Sequence, residues 1–267
     1  MRTQTTNNTW HKTITRCTIL IGGMVLASQA TTAQPAGVFP EGGSDMQVAQ
    51  LRGDISQAET TVWNVDFSRH TIVKSDQISH IVDQYDSEGQ LTMRMNYDTD
   101  NQLDSKVIYQ YTEEGHKRVS TTYSKTGNRT LQTLYAYTAD GYLARMRFTD
   151  ADAVTISTTE VGVTKSEAIT LEMYNDSEKV RTTYSYDTNL NIIGIVRNDG
   201  NTKIETRYAL AYNGLAARGT QTSSTGEKHT LTFEHEVDEH GNWTRKVTYI
   251  DGVATEVTER VITYKDK

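Results

Sequence analysis

Alternation dominates the chain from about residue 60 onward. In 131–137, Leu131, Thr133, Tyr135 and Tyr137 share one side of an extended strand. Val180, Thr182, Tyr184 and Tyr186 repeat the pattern in 180–186, as do Ile204, Tyr208, Leu210 and Tyr212 in 204–212. The intervening positions hold Arg181, Thr183, Ser185, Glu205 and Arg207. Period two with a single apolar side predicts antiparallel strands buried on one face and wetted on the other. No stretch of helical period of useful length interrupts this region.

A turn recurs between the strands. Tyr85-Asp-Ser-Glu-Gly89 sets it, and Tyr97-Asp-Thr-Asp-Asn101 copies it. Tyr111 to Gly115, Tyr123 to Gly127 and Tyr137 to Gly141 continue it, with tyrosine-to-tyrosine steps of 12, 14, 12 and 14 residues. Gly or Asn four residues after the Tyr supplies the positive φ of a tight turn. The hairpin unit is therefore 26 residues, a spacing that also separates Tyr186 from Tyr212. Self-similarity at such a period marks a repeat architecture, and short turns make consecutive strands neighbours. The expectation is an all-β meander of about 13–15 short strands, curled into a soluble barrel or a flattened sandwich. The register lapses between Phe148 and about residue 175. Arg145 and Arg147 share the parity of Leu143, so either a bulge flips burial there or two arginines face an interior cavity, and the bulge is the expected of the two.

Composition agrees with strand. There are 15 Tyr and about 40 Thr beside four Phe and two Pro, and Thr and Tyr suit a pleated, half-buried surface. The net charge of −7 without a Lys/Arg run argues against nucleic acid and anionic membrane as partners. The N-terminus reads as a secretory signal over 1–33. Arg2, Lys12 and Arg16 precede the apolar run 18–27, with cleavage after Ala30 or Ala33. The run is too short for a spanning helix. Cys17 leaves with the signal, so no thiol chemistry is expected in the mature chain. Residues 34–60 carry both prolines and read as a flexible leader, with Ser44 able to cap a short helix presenting Val48, Leu51 and Ile55. Residues 61–267 form the repeat domain.

The segments Tyr135-Ala-Tyr137-Thr-Ala-Asp-Gly141-Tyr-Leu143, Tyr184-Ser-Tyr186-Asp and Asp238-Glu-His-Gly241-Asn-Trp243 resemble the YD repeats of Rhs-type bacterial surface and toxin-shell proteins. The likeness covers roughly residues 80–264, with a gap near 150–175. It implies an extracellular β-sheet shell that is not itself catalytic and that has been associated with carbohydrate.

Tyr135, Tyr137, Tyr184, Tyr186 and Trp243 are the aromatic candidates for a sugar-stacking platform. The same residues also read as a cross-strand ladder holding the sheet together. His229, His235 and His240 lie among Glu234, Glu236, Asp238 and Glu239, but alternation splits them between two faces, so no metal site is expected. Glu160, Glu167 and Glu172 could supply a carboxylate pair for glycoside chemistry, though a decayed repeat explains that stretch better. There is no nucleophile elbow, phosphate loop or dinucleotide fingerprint, hence no cofactor and no enzyme. A membrane-spanning barrel is disfavoured, because the strands read short and the faces opposite the tyrosines carry Thr, Arg, Lys and Glu. The function expected is an exported binding or interaction module of the cell envelope, in the periplasm or outside. Glycan or an envelope protein is the candidate partner. The alternatives are a scaffold without a small-molecule site and, behind it, a glycan-processing enzyme.

Overall fold

The computed structural model describes residues 44–68, 71–164, 166–174 and 177–265. The expected signal sequence and the start of the expected leader lie outside them. One four-residue helix, α1 (Asp45–Val48), precedes sixteen strands. These begin with β1 (Ile55–Ser68), β2 (Thr71–Tyr85), β3 (Leu91–Tyr97) and β4 (Leu103–Tyr111). Next come β5 (Lys117–Ser124), β6 (Arg129–Tyr137), β7 (Leu143–Thr149) and β8 (Thr155–Val163). Then follow β9 (Glu167–Tyr174), β10 (Ser177–Tyr186), β11 (Ile192–Asn198) and β12 (Lys203–Leu210). The last are β13 (Ala216–Ser223), β14 (Lys228–Val237), β15 (Trp243–Ile250) and β16 (Val253–Tyr264).

Every strand pairs antiparallel with its sequence neighbours, and β1 pairs with β16, so the meander closes into a barrel. Of the two closures the sequence left open, the barrel is the one formed. The count of sixteen exceeds the expected 13–15 because the lapsed stretch still folds as the hairpin β8–β9. The first strand also starts at Ile55, inside the span expected to be leader. From Ser44 to Asp54 the chain is an ordered strap carrying α1. Ser44 caps that helix reciprocally with Gln47, as expected, but the helix ends at Val48, so Leu51 lies beyond it and Ile55 begins β1.

Facing residues lie on the same side of a sheet, so the register identifies the buried face. Tyr109 faces Ser120 and Ser120 faces Thr133. Tyr135 faces Met146, and Ala168 faces Tyr184. Leu143, Met146, Ala168, Tyr184 and Tyr186 form one buried cluster, with Tyr135 and Tyr137 packed on it. Around this cluster the interior is thus the Tyr/Leu/Val side, as the alternation predicts. The outer face carries ion pairs such as Arg145–Glu160 at 2.6 Å, Arg207–Glu205 at 2.6 Å and Arg245–Glu236 at 2.9 Å. The expected bulge is present too. Register shifts between Ala136 and Tyr137, which lets Leu143 and Met146 both point inward while Arg145 points out. An exception to the polar exterior lies over β15 and β16, where Val247 and Val257 are covered by Val65 and Ile72 of the overhanging β1–β2 hairpin.

The recurring Tyr-Asp pair has a plain physical basis. In each copy the Tyr ends its strand at a register shift; Tyr85 and Tyr186 turn into the buried interior, whereas Tyr97 stacks on His80. The Asp86 carboxylate accepts from the Glu88 and Gln90 amides at 3.0 and 2.9 Å, while the Gly89 amide donates to the Asp86 carbonyl. Asp98, Asp150, Asp187 and Asp238 do the same in their own turns. Where Thr replaces Asp, at Thr112 and Thr138, the hydroxyl accepts the later amide alone. Two turns depart from the expected glycine or asparagine, and one of them places Ala153 in the left-handed conformation at φ +64. Leu190 takes the left-handed conformation at φ +64, and its side chain packs on the Tyr184–Tyr186 cluster, which offsets a penalty of about 1–2 kcal/mol.

Candidate functional site

The strap runs across the barrel mouth formed by the turns that follow the even-numbered strands. Asp45 sits at its centre of charge. The Asp45 carboxylate accepts from the Leu91 amide at 3.0 Å and from the Tyr111 hydroxyl at 2.7 Å, and it ion-pairs with the buried Lys117. Burial pushes the Lys117 ammonium below its ordinary value, and Asp45 opposes that shift. Farther along, the Met46 amide donates to the Gly89 carbonyl, and Arg260 donates to the carbonyl of Ala49. The fully buried Asn242 binds the Arg52 backbone from both sides, accepting from its amide at 2.7 Å and donating to its carbonyl at 2.9 Å.

At this mouth the turns also nest on one another. Residues following the left-handed position lie across the next turn's glycine. Gln90 covers Gly115, His116 covers Gly141 and Asn191 covers Gly214. At Gly214, with φ +83, an added Cβ would stand 2.8 Å from the Asn191 side chain. The strap joins both ends of the row, with Met46 against Gly89 and Arg52 against Gly241. These side chains lock turns to one another or to the strap.

That face holds a basin of about 440 Å³ between the β10–β11 and β12–β13 turns, lined among others by Arg52, Asp187, Asn189, Asn191, Tyr212 and Asn213. Tyr212 is wholly exposed, at 104% of its reference area. Asp187 is committed locally, accepting from the Asn189 and Asn191 amides and from the Asn191 side chain at 3.0 Å. Burial pushes its carboxyl up, but the Asn191 and Asn189 hydrogen bonds outweigh this and hold it below the usual aspartate range.

The five aromatic candidates lie elsewhere. Tyr184, Tyr186 and Trp243 are buried, and Tyr135 and Tyr137 are half-buried in the same interior cluster as Tyr184 and Tyr186. Burial raises the Tyr184 phenol to about 12, so it remains a hydrogen-bond donor. Trp243 stands apart, under the Arg260 guanidinium at 3.6 Å. The structure therefore places these residues where a ladder would, and among the described residues Tyr212 is the most exposed of the large hydrophobic side chains. The sequence pattern assigned Tyr212 to a strand, but β12 ends at Leu210. The Ala211 amide donates to the Leu215 carbonyl, and the Gly214 amide to the Ala211 carbonyl. Leu210 is thus the equivalent of Tyr186, and Tyr212 stands at the turn. The signal was present: Gly214 lies four residues after Leu210, the interval of the other turns.

The polar clusters separate as their spacing predicts. His229 contacts Asp251 at 2.8 Å and His240 stacks on Tyr264. His235 lies opposite Lys246, and burial with that neighbour lowers it to about 4. Glu160 pairs outward with Arg145, whereas Glu172 belongs to the inward register beside Thr159. Among the described residues, no group of three or more His, Cys, Asp or Glu is placed to hold a metal. No described helix is long and apolar enough to cross a membrane.

No protein-family model matches the chain, and a search of curated proteins finds no match. Solved structures with some likeness include a porin-like protein from Bacteroides uniformis, at 12% identity and a TM-score of 0.40, covering 78% of this chain and 96% of that one. A porin-like protein from Bacteroides vulgatus matches at 10% identity and a TM-score of 0.37, over 78% and 98% of the two chains. The TcdB2–TccC3 structure matches at 12% identity and a TM-score of 0.31, over 71% of this chain and 14% of that one. The barrel stands on its own strand pairing, not on these likenesses.

Proposed function

We propose that the protein is a non-catalytic, exported binding module of the bacterial cell envelope that takes glycan in the basin at its strapped end. One observation carries this reading. Tyr212 presents a complete, unburied ring beside a recess lined by amide side chains. A phenol ring offers an apolar face for the C–H side of a pyranose, and its hydroxyl edge tolerates water. Asn189 and Asn213 offer both donors and acceptors to sugar hydroxyls. The rigidity of the nested turns reduces the ordering a ligand must impose. A non-catalytic role is supported by Asp187, since a carboxyl held low by three local donors is a poor proton donor near neutral pH.

A glycan array is the direct test. Saturable, competable binding that weakens about tenfold or more in Tyr212→Ala, with an unchanged melting temperature, supports the reading. Silence across neutral and acidic polysaccharides would replace it with a scaffolding role.

A further inference from the structure

We infer that the glycan bound in the basin is acidic, bearing uronate carboxylates that Arg52 receives. This rests on the reading of the basin as a glycan site and names the ligand's charge.

The charges of the basin differ in whether they are already neutralised. Two ionised side chains line it, Arg52 and Asp187. Asp187 accepts from two backbone amides and from the Asn191 side chain, so its lone pairs are turned into its own turn. Arg52 is different. The one hydrogen bond its guanidinium makes among the described residues is a long one, from Nη2 to the Asn213 carbonyl at 3.4 Å. No carboxylate of the described residues pairs with it, although the chain as a whole carries −7. An arginine in an acidic protein that stays unpaired, at the rim of a recess, leaves most of its planar donor fork for a ligand.

Its position is also fixed from behind. Asn242 clamps the Arg52 amide and carbonyl, and the guanidinium lies against Gly241, where a Cβ would meet Nη1 at 3.4 Å. A side chain larger than hydrogen at residue 241 would crowd that position. The backbone of Arg52 is thus held by a buried asparagine while its head faces the Tyr212 basin, an arrangement suited to a sugar stacked on the ring with its carboxylate turned to the guanidinium. Bidentate carboxylate recognition by arginine is geometrically selective, and charge-assisted hydrogen bonds are roughly twice as strong as neutral ones.

The test is calorimetric titration of the full chain with a panel of short uronate oligosaccharides, their methyl esters and sulfated neutral counterparts. The expected result is binding of a free acid roughly tenfold tighter than its ester, a margin that shrinks with added salt. Arg52→Gln removes that margin, bringing acid and ester to the same affinity, and Tyr212→Ala weakens acid and ester alike. Both variants alter exposed side chains, and thermal melts confirm that they fold. Equal affinity for acid and ester, or a preference that survives Arg52→Gln, overturns the acidic assignment and leaves the glycan reading standing. Tight binding of the sulfated sugars alone moves the anion from carboxylate to sulfate and overturns the uronate assignment. If no member of the panel binds while the array shows neutral glycans bound, the charge inference alone fails. If the array is also silent, both fail.

Discussion

The two ends of the barrel are built from one turn chemistry and differ in what lies on top of it. At the strapped end, Gly89, Gly115, Gly141, Gly214 and Gly241 each have a side chain within contact of where a Cβ would stand. At the opposite end, Gly127, Gly200, Gly226 and Gly252 meet nothing within 4 Å. Both sets take positive φ, and Gly127 and Gly226 close the same amide-to-carbonyl bond as the glycines of the strapped end. Local sequence therefore makes the turns, while tertiary contact decides which of them form a rigid surface. The strap covers Gly89 and Gly241, and side chains of neighbouring turns cover Gly115, Gly141 and Gly214. The basin with its exposed ring belongs to the anchored end, where a ligand meets a face that is already ordered.

The largest expected effect comes from removing the strap's central charge. Asp45→Ala leaves Lys117 buried without its carboxylate, and such truncations cost about 3–5 kcal/mol. Asp150→Ala, which loses only two amide bonds in a turn of the free end, should cost about 1 kcal/mol. Urea midpoints of the two variants give the comparison directly. Near-equal losses would mean that the strap is a passenger on the barrel.

A smaller contrast separates the glycines. Gly214→Ala meets both a left-handed backbone and the Asn191 side chain, and is expected to cost about 2–3 kcal/mol. Gly226→Ala meets the backbone term alone, at about 1 kcal/mol. Melting temperatures measured side by side would expose the gap, and identical shifts would deny that the strapped turns are packed on one another.

Much of this was legible in the chain, and the exceptions are instructive. Strict alternation and the Tyr-Asp turns carry the meander, the inward tyrosines and the polar exterior, since each depends on residues within one hairpin. Closure by β1 with β16 joins the two ends of the domain, and no local pattern encodes it. The hairpin β8–β9 escaped notice because Val163 and Thr164 stand where the pattern wants Tyr-Asp, while the backbone alternation itself persists. The site was the least visible part. Arg52, Asp187 and Tyr212 meet only because the strap crosses the mouth, and Tyr212 mimicked the ladder by falling at the spacing of the hairpin unit. The tyrosines that looked like a platform are those the fold needs inside.

Residue-resolved amide hydrogen exchange on the intact chain tests the central claim, that turns of the strapped end are locked to one another or to the strap. The Gly115 and Gly214 amides close the same turn bond as those of Gly127 and Gly226, at 2.9–3.0 Å in every case. The account predicts markedly slower exchange at Gly115 and Gly214. Matching rates within each pair would contradict it.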